Sequence, residues 1–276
     1  MRTFDELLIE GVEADVGGWG FGWLDGRATE ERPPWGYAGL LAERLGRARS
    51  ALDLDTGGGE IIAEMPSLPP RMAVTEGWAP NAEQARHRLG PRGVDVAEVA
   101  PGAPLPFDDS TFDLVSSRHP VRPDFAEIAR VLAPGGTYLG QHVGPASAFE
   151  LIEWFLGPLP RERLARDPAR EAAAARAAGL DVVDLRTARC RMEFFDVGAV
   201  VWILRKCVWW VPDFDVDRHR EPLRRMDAHL REHGVFVAHS TRTLIEATYR
   251  DGHVDACDRG HGAGGGGGPR PAPPGR

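Results

Sequence analysis

The chain has 276 residues, 42% of them hydrophobic, enough for one large domain with additions, and a formal net charge of -8. That balance lacks the basic footprint a phosphate backbone demands, so nucleic acid is disfavoured as a partner. Cys190, Cys207 and Cys257 stand far apart, with no paired spacing and no histidine beside them at ligand distance. This argues against a disulfide framework or a metal site and points to a reduced, cytoplasmic setting.

The opening MRTFDELLIEGVEADV is acidic and lacks the basic and apolar regions of an export signal. No apolar run reaches the length of a membrane span, so no membrane contact is expected. The longest, Val197 to Ile203, reads as a buried or lid helix. Residues 1–36, rich in Gly and Trp, resist assignment as a regular helix and form an N-terminal lid segment. From Tyr37 to Arg47, Leu40, Leu41 and Leu45 at helical spacing predict a helix.

Strands and helices then alternate. Strands are expected at 51–54, 72–75, 94–96, 112–116, 137–143 and 180–195, and helices at 60–65, 79–89, 125–132 and 161–178. Such alternation means a parallel sheet with helices on both faces, and ligands in such sheets sit beyond the carboxyl ends of the strands. Residues 196–234 turn helical and aromatic and read as an insertion covering the pocket. A terminal strand follows over 235–252, and the Gly- and Pro-rich stretch 253–276 is expected to be disordered.

ALDLDTGGGE, residues 51–60, places an apolar strand and two carboxylates, Asp53 and Asp55, before Gly57, Gly58 and Gly59. Glycines let a backbone pass close to a bound molecule. The carboxylates and the lack of a following Gly-Lys-Ser/Thr argue against a triphosphate, and favour a ligand with hydroxyls, an ammonium or a sulfonium. A nicotinamide-dependent oxidoreductase is a rival, but its fingerprint needs a third glycine where Ile62 stands.

Four landmarks coincide in order: LDLDTGGGE at 52–60, AVTEGW at 73–78, LPFDDSTFDLVSSRH at 105–119 and IARVLAPGGTYLGQHV at 128–143. Together they resemble the class I S-adenosylmethionine-dependent methyltransferases, especially the branch containing the ubiquinone and menaquinone C-methyltransferases, over roughly residues 38–190. The resemblance implies a Rossmann-like, seven-stranded, mostly parallel α/β sheet with helices on both faces. The donor-binding core would run over 37–195, with the N-terminal segment and the helical insertion added to it. It implies that Asp53, Gly57, Gly58 and Gly59 wrap the methionine part of S-adenosylmethionine and that Glu76 accepts both ribose hydroxyls. Two positions depart from the family. Asp55 replaces a glycine and could attract the cofactor's ammonium or point into solvent. Ala100, Pro101 and Gly102 replace a Gly-Asp-Ala step, leaving adenine to backbone groups or to Glu98.

Methyl transfer from a sulfonium needs alignment above all, with a base as an aid. His119, at the end of the fourth strand of that family pattern, and His142, just beyond the fifth, are the base candidates, and Arg118 is a candidate anion clamp. Trp19, Phe21, Trp23 and Trp35, with Phe194, Phe195, Trp202, Trp209 and Trp210, suggest as a group a lid over a mainly apolar small molecule, although such residues taken singly are more often simply core. The expected function is methylation of a small-molecule substrate. The alternatives are a repurposed, non-catalytic binding protein and, less favoured, a ribosomal RNA methyltransferase, for which SSRHP stands where an Asn-Pro-Pro-Tyr-like motif is needed.

Overall fold

A computed structural model describes residues 2–18 and 20–250. Trp19 and the stretch expected to be disordered, 253–276, lie outside the described residues. In chain order the elements are α1 (Phe4–Glu13), β1 (Ala28–Glu30), α2 (Tyr37–Leu45), β2 (Ser50–Leu54), α3 (Glu60–Ala63), β3 (Arg71–Glu76), α4 (Ala79–Leu89), β4 (Asp95–Glu98) and β5 (Phe112–Arg118). They continue with α5 (Phe125–Val131), β6 (Leu132–Val143), α6 (Phe149–Leu156), α7 (Pro168–Ala177), β7 (Leu180–Phe194), α8 (Val197–Lys206), α9 (Arg220–His233) and β8 (Phe236–Tyr249).

β4, β3, β2, β5 and β6 lie side by side and parallel. Alternate residues of each strand feed two cores. Ala51, Val74, Leu114 and Leu139 pack with α2, α3 and α4 on one face, and Leu52, Ala73, Val115 and Tyr138 pack with α5 and α7 on the other. Both faces are therefore covered, as a parallel sheet requires.

The sheet has eight strands in the order β1-β7-β8-β6-β5-β2-β3-β4, not the expected seven. β8 runs antiparallel to β6 and β7, and the additional strand, β1, pairs antiparallel with β7 by setting Ala28–Glu30 against Met192–Phe194. Three residues inside a Gly- and Pro-rich stretch offer too short an alternation to be read from sequence.

β6 ends at Val143, opposite Arg242, yet β8 goes on pairing with β7 back to Phe236 opposite Phe194. Because β8 is antiparallel, this overhang projects past the carboxyl ends of the parallel strands. A third core is built on it, joining Leu7 and Leu8 of α1, Leu151 of α6, Trp202 of α8, Leu223 of α9 and Phe236. α1 was not anticipated. Its start is encoded by a Thr3-x-x-Glu6 capping box, in which each side chain bonds the other's backbone N–H. α1 lies tight on α8: a Cβ on Gly11 would sit 2.7 Å from the Gly198 carbonyl, and one on Gly198 2.7 Å from that of Leu7. α6 was also missed, and the helix expected from 161 starts at Pro168, where Asp167 caps the chain and proline suits the first turn. No described helix is long and apolar enough to cross a membrane.

Candidate donor and acceptor site at the strand ends

β2 stops at Leu54 because the chain turns sharply at Asp55, whose φ is +53°. Aspartate is among the few residues with a Cβ that tolerate this region. Asp55 thus takes a glycine-like backbone shape, and partial burial raises its carboxyl against a hydrogen bond from the Val121 backbone. Three bonds hang the loop on β3. Thr56 N–H donates to the Thr75 carbonyl at 2.9 Å, Asp55 N–H to Thr75 Oγ1 at 3.4 Å, and Gly57 N–H to Glu76 Oε2 at 2.8 Å. Glu76 Oε1 accepts from Trp78 N–H at 2.9 Å. A carboxylate can accept about four hydrogen bonds, so each oxygen of Glu76 keeps acceptor capacity for a hydroxyl.

The glycine triplet divides its labour. A Cβ on Gly58 would lie 2.5 Å from Glu60 Oε1 and 2.7 Å from Arg88 Nη1, and one on Gly59 2.7 Å from Leu89 Cδ1. The side-chain space at both is filled by α4 and its surroundings, so neither position has room for a Cβ. Arg88 also donates to the Gly58 carbonyl.

Asp53 is 1% exposed, and its Oδ1 accepts from Ser116 Oγ at 2.6 Å. Burial raises its carboxyl to about 6, against the opposing hydroxyl. Glu98 is exposed, pairs in register with Glu76, and lies 3.4 Å from Arg86 Nη2. A Cβ on Gly77 would meet the Val99 carbonyl at 2.9 Å and Pro101 Cδ at 3.3 Å, so the 99–102 loop packs directly beside Glu76. Sequence reasoning passed over Trp78. It is 58% exposed, and the signal was its place two residues after the acidic strand end.

His119 follows β5 with φ +59°, and its N–H donates to the Gln141 carbonyl at 2.7 Å. Its tautomer follows from its neighbours. Trp35 Nε1, which can only donate, lies 2.8 Å from Gln141 Oε1. Gln141 Nε2 is therefore the donor in its 3.3 Å contact with His119 Nε2, which leaves the ring proton on Nδ1. Desolvation, then the charges of Arg242, Arg118 and Arg166 among others, lower the imidazole to about 3.

His142 lies inside β6, not beyond the strand, and is 1% exposed. Its Nδ1 meets Glu171 Oε2 at 2.9 Å and its Nε2 meets Tyr138 Oη at 2.8 Å, while Tyr138 Oη lies 2.6 Å from Ser117 Oγ. Tyr138 and His142 meet over Gly140, where a Cβ would fall 2.6 Å from both polar atoms. This chain of groups stays within the sheet and α7, out of reach of a ligand.

Phe194 and Trp202 belong to the third core, and Trp23 stacks on Trp202 with centroids 5.7 Å apart. Phe21 packs on Trp202 edge to face, and Lys206 Nζ lies 5.1 Å from both rings. Trp210 packs against the same core, while Phe195 and Trp209 are exposed. Trp35 is bonded to the strand-end residues through Gln141.

Residues 52–140 match the family model of the methyltransferase domain. The chain is 39% identical over 97 residues to the ubiquinone/menaquinone biosynthesis C-methyltransferase of Desulfotalea psychrophila, a match covering 32% of this chain and 39% of the relative. The chain thus spans about two fifths of the length of the curated relative it matches. A candidate methyltransferase from Bacillus halodurans C-125 superposes with a TM-score of 0.56 at 16% identity, over 78% of this chain and 97% of that one. The YcgJ protein of Bacillus subtilis gives 0.54 at 17% identity, over 78% and 99%. At these identities the two structures speak for the fold alone, an α/β methyltransferase fold. Residues 52–140 of this chain are thus similar to the methyltransferase domain family.

Proposed function

We propose that this protein is an S-adenosylmethionine-dependent methyltransferase that acts on a small-molecule acceptor by in-line displacement. The observation that carries the reading is the 2.8 Å bond from Gly57 N–H to Glu76, which holds the loop after β2 against the acidic end of β3 inside the matched domain. The residues present fit the donor. The unused acceptor capacity of Glu76 suits two vicinal hydroxyls, and the exposed Trp78 ring offers a flat apolar face to a purine. Backbone groups of the 99–102 loop and Glu98, beside Glu76, are the partners left for adenine. When bound, S-adenosylmethionine supplies a methyl group on a positively charged sulfur. Asp53, Asp55 and Glu76 put carboxylates on that side of the site.

No covalent intermediate is required, so the protein's contribution is alignment and exclusion of water, and orientation alone can supply about 7 to 11 kcal/mol. His119 is a weak base at neutral pH, since effective bases titrate near the working pH. We assign it the role of a neutral donor through Nδ1–H. His142 is a positioning residue that braces β5 and β6. The third core and the 20–36 segment rise beside the strand ends and form the wall over the acceptor. The rival reading, a repurposed binding protein, leaned on Asp55 and Pro101. Asp55 keeps a left-handed, glycine-like backbone, which answers the steric part of that objection.

Isothermal titration with S-adenosylmethionine and S-adenosylhomocysteine tests the donor assignment, and sub-millimolar binding of both is expected. No binding of either rejects it. A metabolite screen with radiolabelled methyl donor then reports transfer.

A further inference from the structure

We propose that the acceptor is a small anion, a molecule bearing a carboxylate or phosphate group that Arg118 clamps with Arg242 behind it. That this anion is the methyl acceptor rests on the reading above; that an anion binds here rests on how charge is distributed along the strand ends.

Acidic and basic groups are sorted by strand. At the carboxyl ends of β2, β3 and β4 stand Asp53, Asp55, Glu76 and Glu98. At the ends of β5 and β6 and the facing stretch of β8 stand Arg118, His119, Gln141 and Arg242. Arg118 pairs in register with Gln141, and Arg242 with Val143, so both arginines project on the face that carries Gln141. With β6 between them and two residues of offset, strand spacing and rise place their Cα atoms roughly 12 Å apart. Two arginine side chains can close that gap around one anion. A cationic donor and an anionic acceptor would thus meet, each on the side of opposite charge.

The arginines differ in a way that suits the task. Arg242 is preset: it donates to Glu30 Oε1 at 2.8 Å, the Thr241 carbonyl at 3.0 Å and Ser147 Oγ at 3.3 Å. Arg118 is exposed and makes no ion pair or hydrogen bond among the described residues, in a chain whose arginines mostly pair with carboxylates and whose net charge is -8. Arg122 and Arg166, on the loops after β5 and before α7, are likewise without such partners. A planar guanidinium without a partner matches the two oxygens of a carboxylate or phosphate. His119 adds Nδ1–H; burial first, and then the surrounding cations, keep the ring neutral, so it serves the anion as a donor.

The test uses the full chain saturated with S-adenosylhomocysteine, titrated at fixed ionic strength with inorganic phosphate and, separately, with benzoate. At least one probe should bind saturably in the range of about 0.1 to 10 mM. Arg118→Gln should weaken that binding about tenfold, and Arg118→Lys should recover part of it. The affinity of Arg118→Gln for S-adenosylhomocysteine should match the parent's, which also reports that the variant is folded. The stronger probe identifies the class of acid. No saturable binding of either probe to the parent, or equal binding by Arg118→Gln, overturns the proposal. Anion binding by a chain that fails to bind S-adenosylhomocysteine sinks the methyltransferase reading and leaves the anion site standing.

Discussion

Gly57 N–H donates to Glu76 Oε2 across 2.8 Å, linking two residues that are 19 positions apart in the chain. The bond closes the loop after β2 onto the end of β3. A hydrogen bond to a charged group contributes about 1.5 to 3 kcal/mol, so Glu76→Ala should weaken S-adenosylhomocysteine binding roughly 10- to 100-fold, counting latch and ribose contacts together. Glu76→Gln, which keeps one carbonyl acceptor, should fall between. Calorimetric affinities unchanged in Glu76→Ala would remove this residue from the donor seat.

Asp53 makes stability depend on pH in a defined direction. Its folded carboxyl titrates at about 6 against an ordinary value of 3.8, because burial disfavours the charge. The folded state holds the proton more tightly, so the contribution is fully present below pH 3.8 and is lost as pH rises through 6. The shift corresponds to a loss on the order of 3 kcal/mol. Asp53→Asn, which cannot ionise, should therefore gain stability relative to the parent between these limits and hold the gain above them. Urea unfolding of both proteins across that range measures the difference, and parallel curves would contradict the assignment.

His119 should leave no trace in the pH profile of turnover between about pH 5 and 8, because it is already neutral throughout. His119→Asn, which retains a side-chain N–H donor, should keep more activity than His119→Ala, with donor affinity equal in both. A titration near pH 6.5 that disappears in either variant would restore the general-base role.

Gly140 is the hinge of the buried Ser117, Tyr138, His142 and Glu171 chain. Gly140→Ala puts a methyl 2.6 Å from both Tyr138 Oη and His142 Nε2, which must separate. Overpacking plus a lost buried hydrogen bond should cost about 2 to 4 kcal/mol, read as a lowered urea midpoint. A midpoint within error of the parent would mean that the strand absorbs the methyl freely.

The glycine contact between α1 and α8 makes a local prediction. Gly198→Val drives a side chain into the Leu7 carbonyl, 2.7 Å from the first added carbon, and should lift α1 away. Hydrogen exchange should then show lost protection over Phe4–Glu13 and retained protection in β2, β3 and β5. Uniform loss across the sheet would show that α1 and the core unfold as one unit.

Much of this architecture was legible along the chain. The helix at 79–89 and the strand pair at 180–194 and 236–249 match closely, because apolar periodicity is dictated by which faces must be buried. The Thr3-Glu6 box that starts α1 is also a local signature in the sequence. Other features have no local signature. β1 exists because Met192–Phe194 presents an open edge to Ala28–Glu30, and the roles of Gly58 and Gly59 depend on what α4 lays against them. The neutrality of His119, the burial of His142 and the placement of Arg118 and Arg242 on one face come from groups far apart in the chain, brought together once strands pair. The sequence determined which segments become strands and helices and where the glycine-rich loop follows β2. Tertiary structure alone decided which side chains face one another there, since desolvation and charge depend on distance in space and not on position in the chain.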